Sequence, residues 1–208
     1  MNQSPSLEAR NLACRRGDAL LFAGLELALS SGAALWVQGP NGVGKTSLLR
    51  ILAGLAPAAA GEILWQGRLA RASSPSYRSR LLYLGHTVPL KDDLSVDENL
   101  AELIAFDGLR VTQTQRAAAI DTVGLSARSG LAARFLSLGQ RRRLVMARML
   151  LARRSLWLLD EPAIGLDGPA IAQLQQCLAT HLSEGGMAVF TSHQPLEVAG
   201  TVTRLGLQ

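Results

Sequence analysis

Three short runs in this chain are apolar at every position or nearly so: Leu81–Leu84, Leu156–Leu159 and Met187–Thr191. A fourth, Ala33–Gln38, stops abruptly at Gly39-Pro40-Asn41-Gly42. Runs of this length and character read as strands buried on both faces, as in a parallel sheet. Longer β-type runs precede them at Leu7–Arg15 and Leu20–Leu29; Gly61–Gly67 reads as a strand between glycines and Thr201–Leu207 as an edge strand. Helical spacing is carried by Leu48, Leu49, Leu52 and Leu55, which predict a helix over Lys45–Leu55. Ser95, with Glu98 three residues later, forms a capping box that opens a helix with Leu100, Leu103 and Ile104 on one face. Helical texture continues to about Arg154, with helices predicted over Gln113–Val123, ended by Gly124, and Gly139–Leu151. A further helix is expected over Gly168–Ser183. The alternation predicts an α/β fold, one domain over 1–208 with a helical insertion at about 88–154.

Composition narrows the function more than the fold. With 48% hydrophobic and 18% charged residues in 208, disordered and fibrous structures are excluded. The net charge of +5 leaves open nucleic acid, an anionic membrane surface or a polyphosphate. Nineteen of the twenty-one cations are Arg, scattered except at Arg15-Arg16, Arg141-Arg142-Arg143 and Arg153-Arg154, and aromatics are only 4%. That is too few for the base-stacking platforms of single-strand binders, so nucleic acid is not an expected partner. Cys14 and Cys177 form no C-x-x-C and fit inert core thiols in a reducing compartment. Met1–Asn11 lacks the apolar run of a signal peptide, and the most hydrophobic stretch, Leu20–Val37, is broken by Glu26, Ser30, Ser31 and Gly32. Any membrane the chain serves is therefore expected to belong to a partner.

The chemistry concentrates in three places. Gly39-Pro40-Asn41-Gly42-Val43-Gly44-Lys45-Thr46, followed by Ser47, fits G-x-x-x-x-G-K-[ST] between a strand and a helix. Glycines there let backbone N–H groups turn onto phosphate oxygens, and the helix N-terminus adds positive potential. Lys45 would bridge the β- and γ-phosphates and Thr46 would ligate Mg²⁺. Asp160-Glu161 follow the strand Leu156–Leu159, where two buried acids call for a cation. Asp160 would hold Mg²⁺, directly or through water, and Glu161 would polarise the attacking water. Leu136-Ser137-Leu138-Gly139-Gln140, on local physics alone, is a helix N-cap followed by a basic face, Arg141 to Arg143, read as solvated or as reaching a partner subunit. His181, near a helix end, offers only charge complement to the helix dipole, and Trp36, Trp65 and Trp157 read as core.

In sequence order these segments resemble the ATP-binding cassette (ABC) ATPases. The Gly-rich loop, Ser137-Leu138-Gly139-Gln140 as the signature, Asp160-Glu161, Gly165-Leu166-Asp167 as the D-loop and Thr191-Ser192-His193 as the switch histidine all occur. The resemblance covers nearly the whole chain. It implies a P-loop NTPase fold with a mainly parallel sheet core, an N-terminal antiparallel β subdomain and an inserted helical subdomain. It also implies ATP and Mg²⁺ as cofactors and a head-to-tail homodimer that sandwiches two nucleotides. In that arrangement Ser137, Gly139 and Gln140 of one copy face the Gly-rich loop of the other, His193 contacts the γ-phosphate and Asp167 links the sites. Three departures stand out: His86 where the family has a glutamine that senses Mg²⁺, Arg16 where an aromatic stacks on adenine, and Leu138 in place of a signature glycine. His86 is thereby a candidate nucleotide contact and an uncertain metal ligand, and Arg16 a candidate base contact.

Several idiosyncratic stretches are similar to the haem-exporter ATP-binding subunits of bacterial cytochrome c maturation. They are Leu7–Cys14, Gly61–Gly67, Gly85-His86, Gly139–Arg142 and Ser192–Leu196. This similarity implies ATP hydrolysis on the cytoplasmic side of a bacterial inner membrane, coupled through membrane-spanning subunits to haem export or release of a haem chaperone. No C-x-x-C-H is present, so no direct haem site is expected. The alternatives are the ATPase of another exporter, for a drug or a lipid, and a cassette that binds ATP without hydrolysing it; action on DNA or the ribosome stands behind both.

Overall fold

A computed structural model describes residues 6–70 and 74–208. Residues 1–5 of the segment read for a leader lie outside this description. The chain runs β1 (Leu7–Arg16), β2 (Ala19–Leu29), β3 (Ala33–Gln38), α1 (Lys45–Leu52), β4 (Ala60–Trp65), β5 (Arg68–Leu69), α2 (Pro75–Arg78) and β6 (Leu81–Leu84). Then follow α3 (Val96–Phe106), α4 (Gln113–Thr122), α5 (Leu138–Ala152), β7 (Leu156–Leu159), α6 (Gly168–Ser183), β8 (Met187–Thr191) and β9 (Thr201–Gly206).

Two sheets result. The first is antiparallel, in the order β2-β1-β4-β5; the second is five-stranded, in the order β6-β7-β8-β3-β9, and every pair in it is parallel. The all-apolar runs are strands of the second sheet because both of its faces are covered. Leu156 and Leu158 face one core with Leu35, Val37 and Val189, against α1 and the antiparallel sheet. Trp157 and Leu159 face the other with Trp36, Ala188 and Phe190, against α5 and α6. Period-two alternation thus sends successive apolar residues into different cores, and no position is free to be polar. β9 lies at the sheet edge, as its mixed composition predicts, with Arg204 over the Trp36 ring, 5.3 Å from its centroid.

Helices α3, α4 and α5 pack on one another. Their N-termini carry three capping boxes: Ser95 with Glu98, Thr112 with Gln115, and Ser137 with Gln140. In each, the N-cap hydroxyl takes one free amide and the N3 side chain another. The predicted helix over Lys45–Leu55 ends early, at Leu52. Gly54 turns with φ 68, the buried Tyr77 hydroxyl donates to the Leu52 carbonyl at 2.7 Å, and Leu55 stays half-exposed. The strand expected over Gly61–Gly67 instead turns at Gln66-Gly67 into β5, which, with α2, periodicity missed because both elements are very short.

His181 corrects another expectation. Its imidazole stacks on Trp157 with ring centroids 3.8 Å apart, packs against Gly186 and shares a 3.0 Å hydrogen bond from Nε2 with the Met187 carbonyl. Burial lowers its pKa, so it is a neutral core group, and a dipole-complementing charge is not what it supplies. Cys14 is buried as expected, whereas Cys177 is only half-buried; both are free thiols.

Candidate functional site

The C-terminal ends of four parallel strands converge on one cavity of about 370 Å³. β3 delivers the Gly-rich loop, β6 leads to His86, β7 to Asp160 and Glu161, and β8 to Thr191 and His193. Crevices at the carboxyl ends of open parallel sheets are where such folds bind ligands, because loops of different strands meet there. The cavity is lined by Asn41, Gly42, Gly44, Lys45, Thr46, Ser47, His86, Asp160, Glu161 and His193, and by Arg16 at the end of β1. Leu21 and Ile164, which sequence reasoning did not single out, complete the wall.

The Gly-rich loop owes its shape to backbone that side chains disfavour. Gly39, Gly42 and Gly44 have φ of 148, 87 and 108°. A Cβ on Gly39 would stand 2.5 Å from the Leu207 carbonyl oxygen, so the loop is pressed against the strand end after β9. Pro40 and Val43 belong to the same turn, and Lys45 Nζ folds back to donate to the Gly39 and Pro40 carbonyls at 2.7 and 3.0 Å.

Asp160 is buried and accepts two hydroxyl hydrogen bonds: from Thr46 Oγ1 at 2.8 Å and from Thr191 Oγ1 at 2.9 Å. The Thr191 hydroxyl in turn accepts from the Glu161 N–H at 2.8 Å. Glu161 adopts φ 51, a region few non-glycine residues enter, which swings its carboxylate toward His193. Its Oε2 accepts from the His193 N–H at 3.3 Å, while Oε1 is buried with no hydrogen-bond partner among the described residues, 3.6 Å from His193 Nε2. Trp36 Nε1 donates to the Ser192 carbonyl at 3.2 Å and so anchors the segment that carries His193.

Ser137, Gly139, Gln140 and Asp167 are not part of this lining. The first three form the N-terminus of α5, and Asp167 caps α6 by accepting from the Ala170 N–H at 3.1 Å. The two motifs touch one another: a Cβ on Gly139 would lie 2.6 Å from the Gly165 oxygen, and Leu138 covers Gly165 where a Cβ would be. The Ala170 amide and the Arg143 guanidinium hold the Asp167 carboxyl below the usual range. The solvated face expected of Arg141–Arg143 is absent: Arg141 pairs with Asp92 at 2.7 Å, Arg143 with Asp167 at 2.6 Å, and Arg142 is buried. All three contacts are within the chain because the loops after β6 and before α3 and α6 fold onto the first turns of α5.

The residues fit a magnesium nucleotide. Thr46 and Asp160 present a hydroxyl and a carboxylate side by side, and among the described residues no group of three or more His, Cys, Asp or Glu could hold a metal without help. Mg²⁺ is characteristically held by one or two protein oxygens together with phosphates and water.

Comparison with known proteins bears on the family and the fold. Residues 22–164 match the family described as ABC transporter. The cytochrome c biogenesis ATP-binding export protein CcmA of Nitrosospira multiformis is 46% identical over 98% of this chain and 99% of its own length. That of Methylococcus capsulatus is 44% identical over 100% of both chains. A solved ABC transporter ATP-binding protein from Pyrococcus furiosus, 23% identical, superposes with a TM-score of 0.82 over 96% of each chain. The motifs, the two-sheet fold and these full-length similarities place the chain in the ABC transporter ATP-binding family, and within it among the cytochrome c biogenesis ATP-binding export proteins.

Proposed function

We propose that this chain hydrolyses ATP with Mg²⁺ at the cavity described, as the energy-coupling subunit of a membrane complex for haem export or haem-chaperone release in cytochrome c biogenesis. The observation that carries the catalytic reading is Glu161, whose Oε1 is buried beside His193 with no hydrogen-bond partner among the described residues. A carboxylate oxygen so placed is suited to accept a proton from water attacking the γ-phosphate. Backbone N–H groups of 41–47, at the loop and the start of α1, hold the phosphates, and Lys45 exchanges its loop carbonyls for phosphate oxygens. Thr46 and Asp160 would hold Mg²⁺, which supplies neutralisation of the charge that develops on the phosphates. His193 donates to the γ-phosphate, and Arg16, which lines the cavity, is a candidate base contact. His86 is a further candidate nucleotide contact and a candidate third metal ligand.

Ser137, Gly139 and Gln140 stand outside their own cavity, which supports a role on a second copy's nucleotide in a head-to-tail dimer joined by Asp167. The domain spans 1–208, with the helical insertion at 88–154. Among the described residues no helix is long and apolar enough to cross a membrane, and the complex we propose places the chain peripherally on the cytoplasmic face of the inner membrane.

The test is phosphate release by the purified chain and by Glu161→Gln. Turnover falls by about 10²–10⁴ in the variant with ATP binding retained; equal rates exclude Glu161 as the base. Tagging the protein in its native membranes and identifying what co-purifies tests the pathway. Cytochrome c maturation membrane proteins support it, and an unrelated permease replaces it with a drug or lipid exporter.

A further inference from the structure

Two arginines of α5 are buried to a similar degree, and they differ in what holds them. Arg148 is paired in bidentate fashion with Asp107, through Nε at 2.8 Å and Nη2 at 2.6 Å, which accounts for its charge. Arg142 touches no carboxylate. Its Nη2 donates to the His86 carbonyl at 2.6 Å, its Nη1 lies 3.4 Å from the Gly85 carbonyl, and its Nε is buried with no partner among the described residues. Burial lowers its pKa, and the charges of Asp160 and Glu161 oppose that effect from a distance. A guanidinium kept in such a place without an ion pair is expensive, and an apolar residue would pack there at lower cost. What it achieves is local: the loop leaving β6 is tied at its root by the Asp160 N–H on the Leu84 carbonyl at 2.8 Å, and two residues on by Arg142. Between those ties the chain turns His86 to the wall of the nucleotide cavity.

We propose that Arg142 is a positioning residue for ATP hydrolysis: by clamping the Gly85-His86 carbonyls to α5 it sets where His86 enters the cavity. Because Ser137 at the head of α5 belongs to the signature, the loop follows the helix, and a shift of the signature segment is felt at the cavity through Arg142. The inference rests on the ATPase reading above and adds a residue to it.

The experiment compares the full chain with Arg142→Ala, Arg142→Lys, His86→Ala and the Arg142→Ala/His86→Ala double variant, by steady-state phosphate release and by amide hydrogen exchange. Arg142→Ala lowers kcat by about 10–10²-fold, the scale of a small misplacement near the chemistry, with KM for ATP within about twofold. Arg142→Lys, which keeps a charged donor, recovers most of the loss. The double variant is no slower than His86→Ala, since both act through one group. Exchange quickens at residues 85–87 and is unchanged at 42–47. Unchanged kcat, a loss carried by KM, losses that multiply in the double variant, or an unimpaired His86→Ala each overturn the proposal. If Arg142→Ala does not fold, Arg142→Gln carries the same comparison. Phosphate release by the unaltered chain tests the ATPase reading separately, so a wild type that hydrolyses ATP beside an equally active Arg142→Ala removes only the role of Arg142.

Discussion

One hydroxyl serves both acids at the C-terminal end of β7: Thr191 donates to Asp160 and accepts from the Glu161 N–H. Thr191→Val keeps the shape and removes both hydrogen bonds, leaving a buried amide unsatisfied at a cost of about 1–3 kcal/mol. Urea denaturation should show that loss, and phosphate release should fall because the turn that aims Glu161 is loosened. Asp160 and Glu161 are legible from the sequence only beside the Gly-rich loop, because two acids after an apolar strand are by themselves more often a helix cap or a surface pair. Thr191 is not, because threonine at the end of a strand is ordinary. His181 shows the opposite limit: its place near a helix end suggests a charge, whereas burial in the core, where it stacks on Trp157, lowers its pKa and keeps it neutral. Its folded pKa is below the unfolded value, so the unfolded chain binds the extra proton first and stability declines as pH falls below about 6.5. His181→Phe, which keeps a stacked ring, should flatten that part of the pH dependence of the urea midpoint; an unchanged slope would assign it to other groups.

Between elements, the helical region is joined by ion pairs rather than by apolar contact alone. Arg148 of α5 reaches Asp107 at the end of α3, with both side chains about nine-tenths buried, and Arg116 of α4 grips Asp97 of α3 in bidentate fashion. Asp107→Ala strands a buried guanidinium and should cost about 3–5 kcal/mol, whereas replacing both partners with apolar residues of similar size should cost far less. Chemical denaturation of the single and double variants distinguishes these outcomes. The capping boxes of α3 and α5 could be located from sequence because the reciprocal hydrogen bonds lie within four residues. The end of α1 could not, since the Tyr77 hydroxyl that takes the Leu52 carbonyl comes from 25 residues further on. Arg141, Arg142 and Arg143 read as one basic face, yet each finds a different loop, because successive residues of a helix point about 100° apart.

Across the whole molecule, Ser137, Gly139 and Gln140 lie outside the lining of the cavity, and in the head-to-tail dimer we propose one chain would supply half of each of two sites. Glu161→Gln with ATP should therefore elute near twice the 22.1 kDa of the monomer, and Ser137→Glu, which sets a negative charge against the facing phosphates, should return it to the monomer; size-exclusion chromatography reads both. The amino-acid sequence by itself determined the longer strands, the capped start of α3, the phosphate loop and the pair of acids, since each is written in residues adjacent along the chain. Tertiary structure alone decided which strand ends meet, that Thr191 bonds to both acids and Arg142 to the His86 carbonyl, and that burial lowers the pKa of His181. Those outcomes depend on hydrogen bonds and burial between segments 30 to 60 residues apart, or on packing against a neighbouring strand, which no local pattern records.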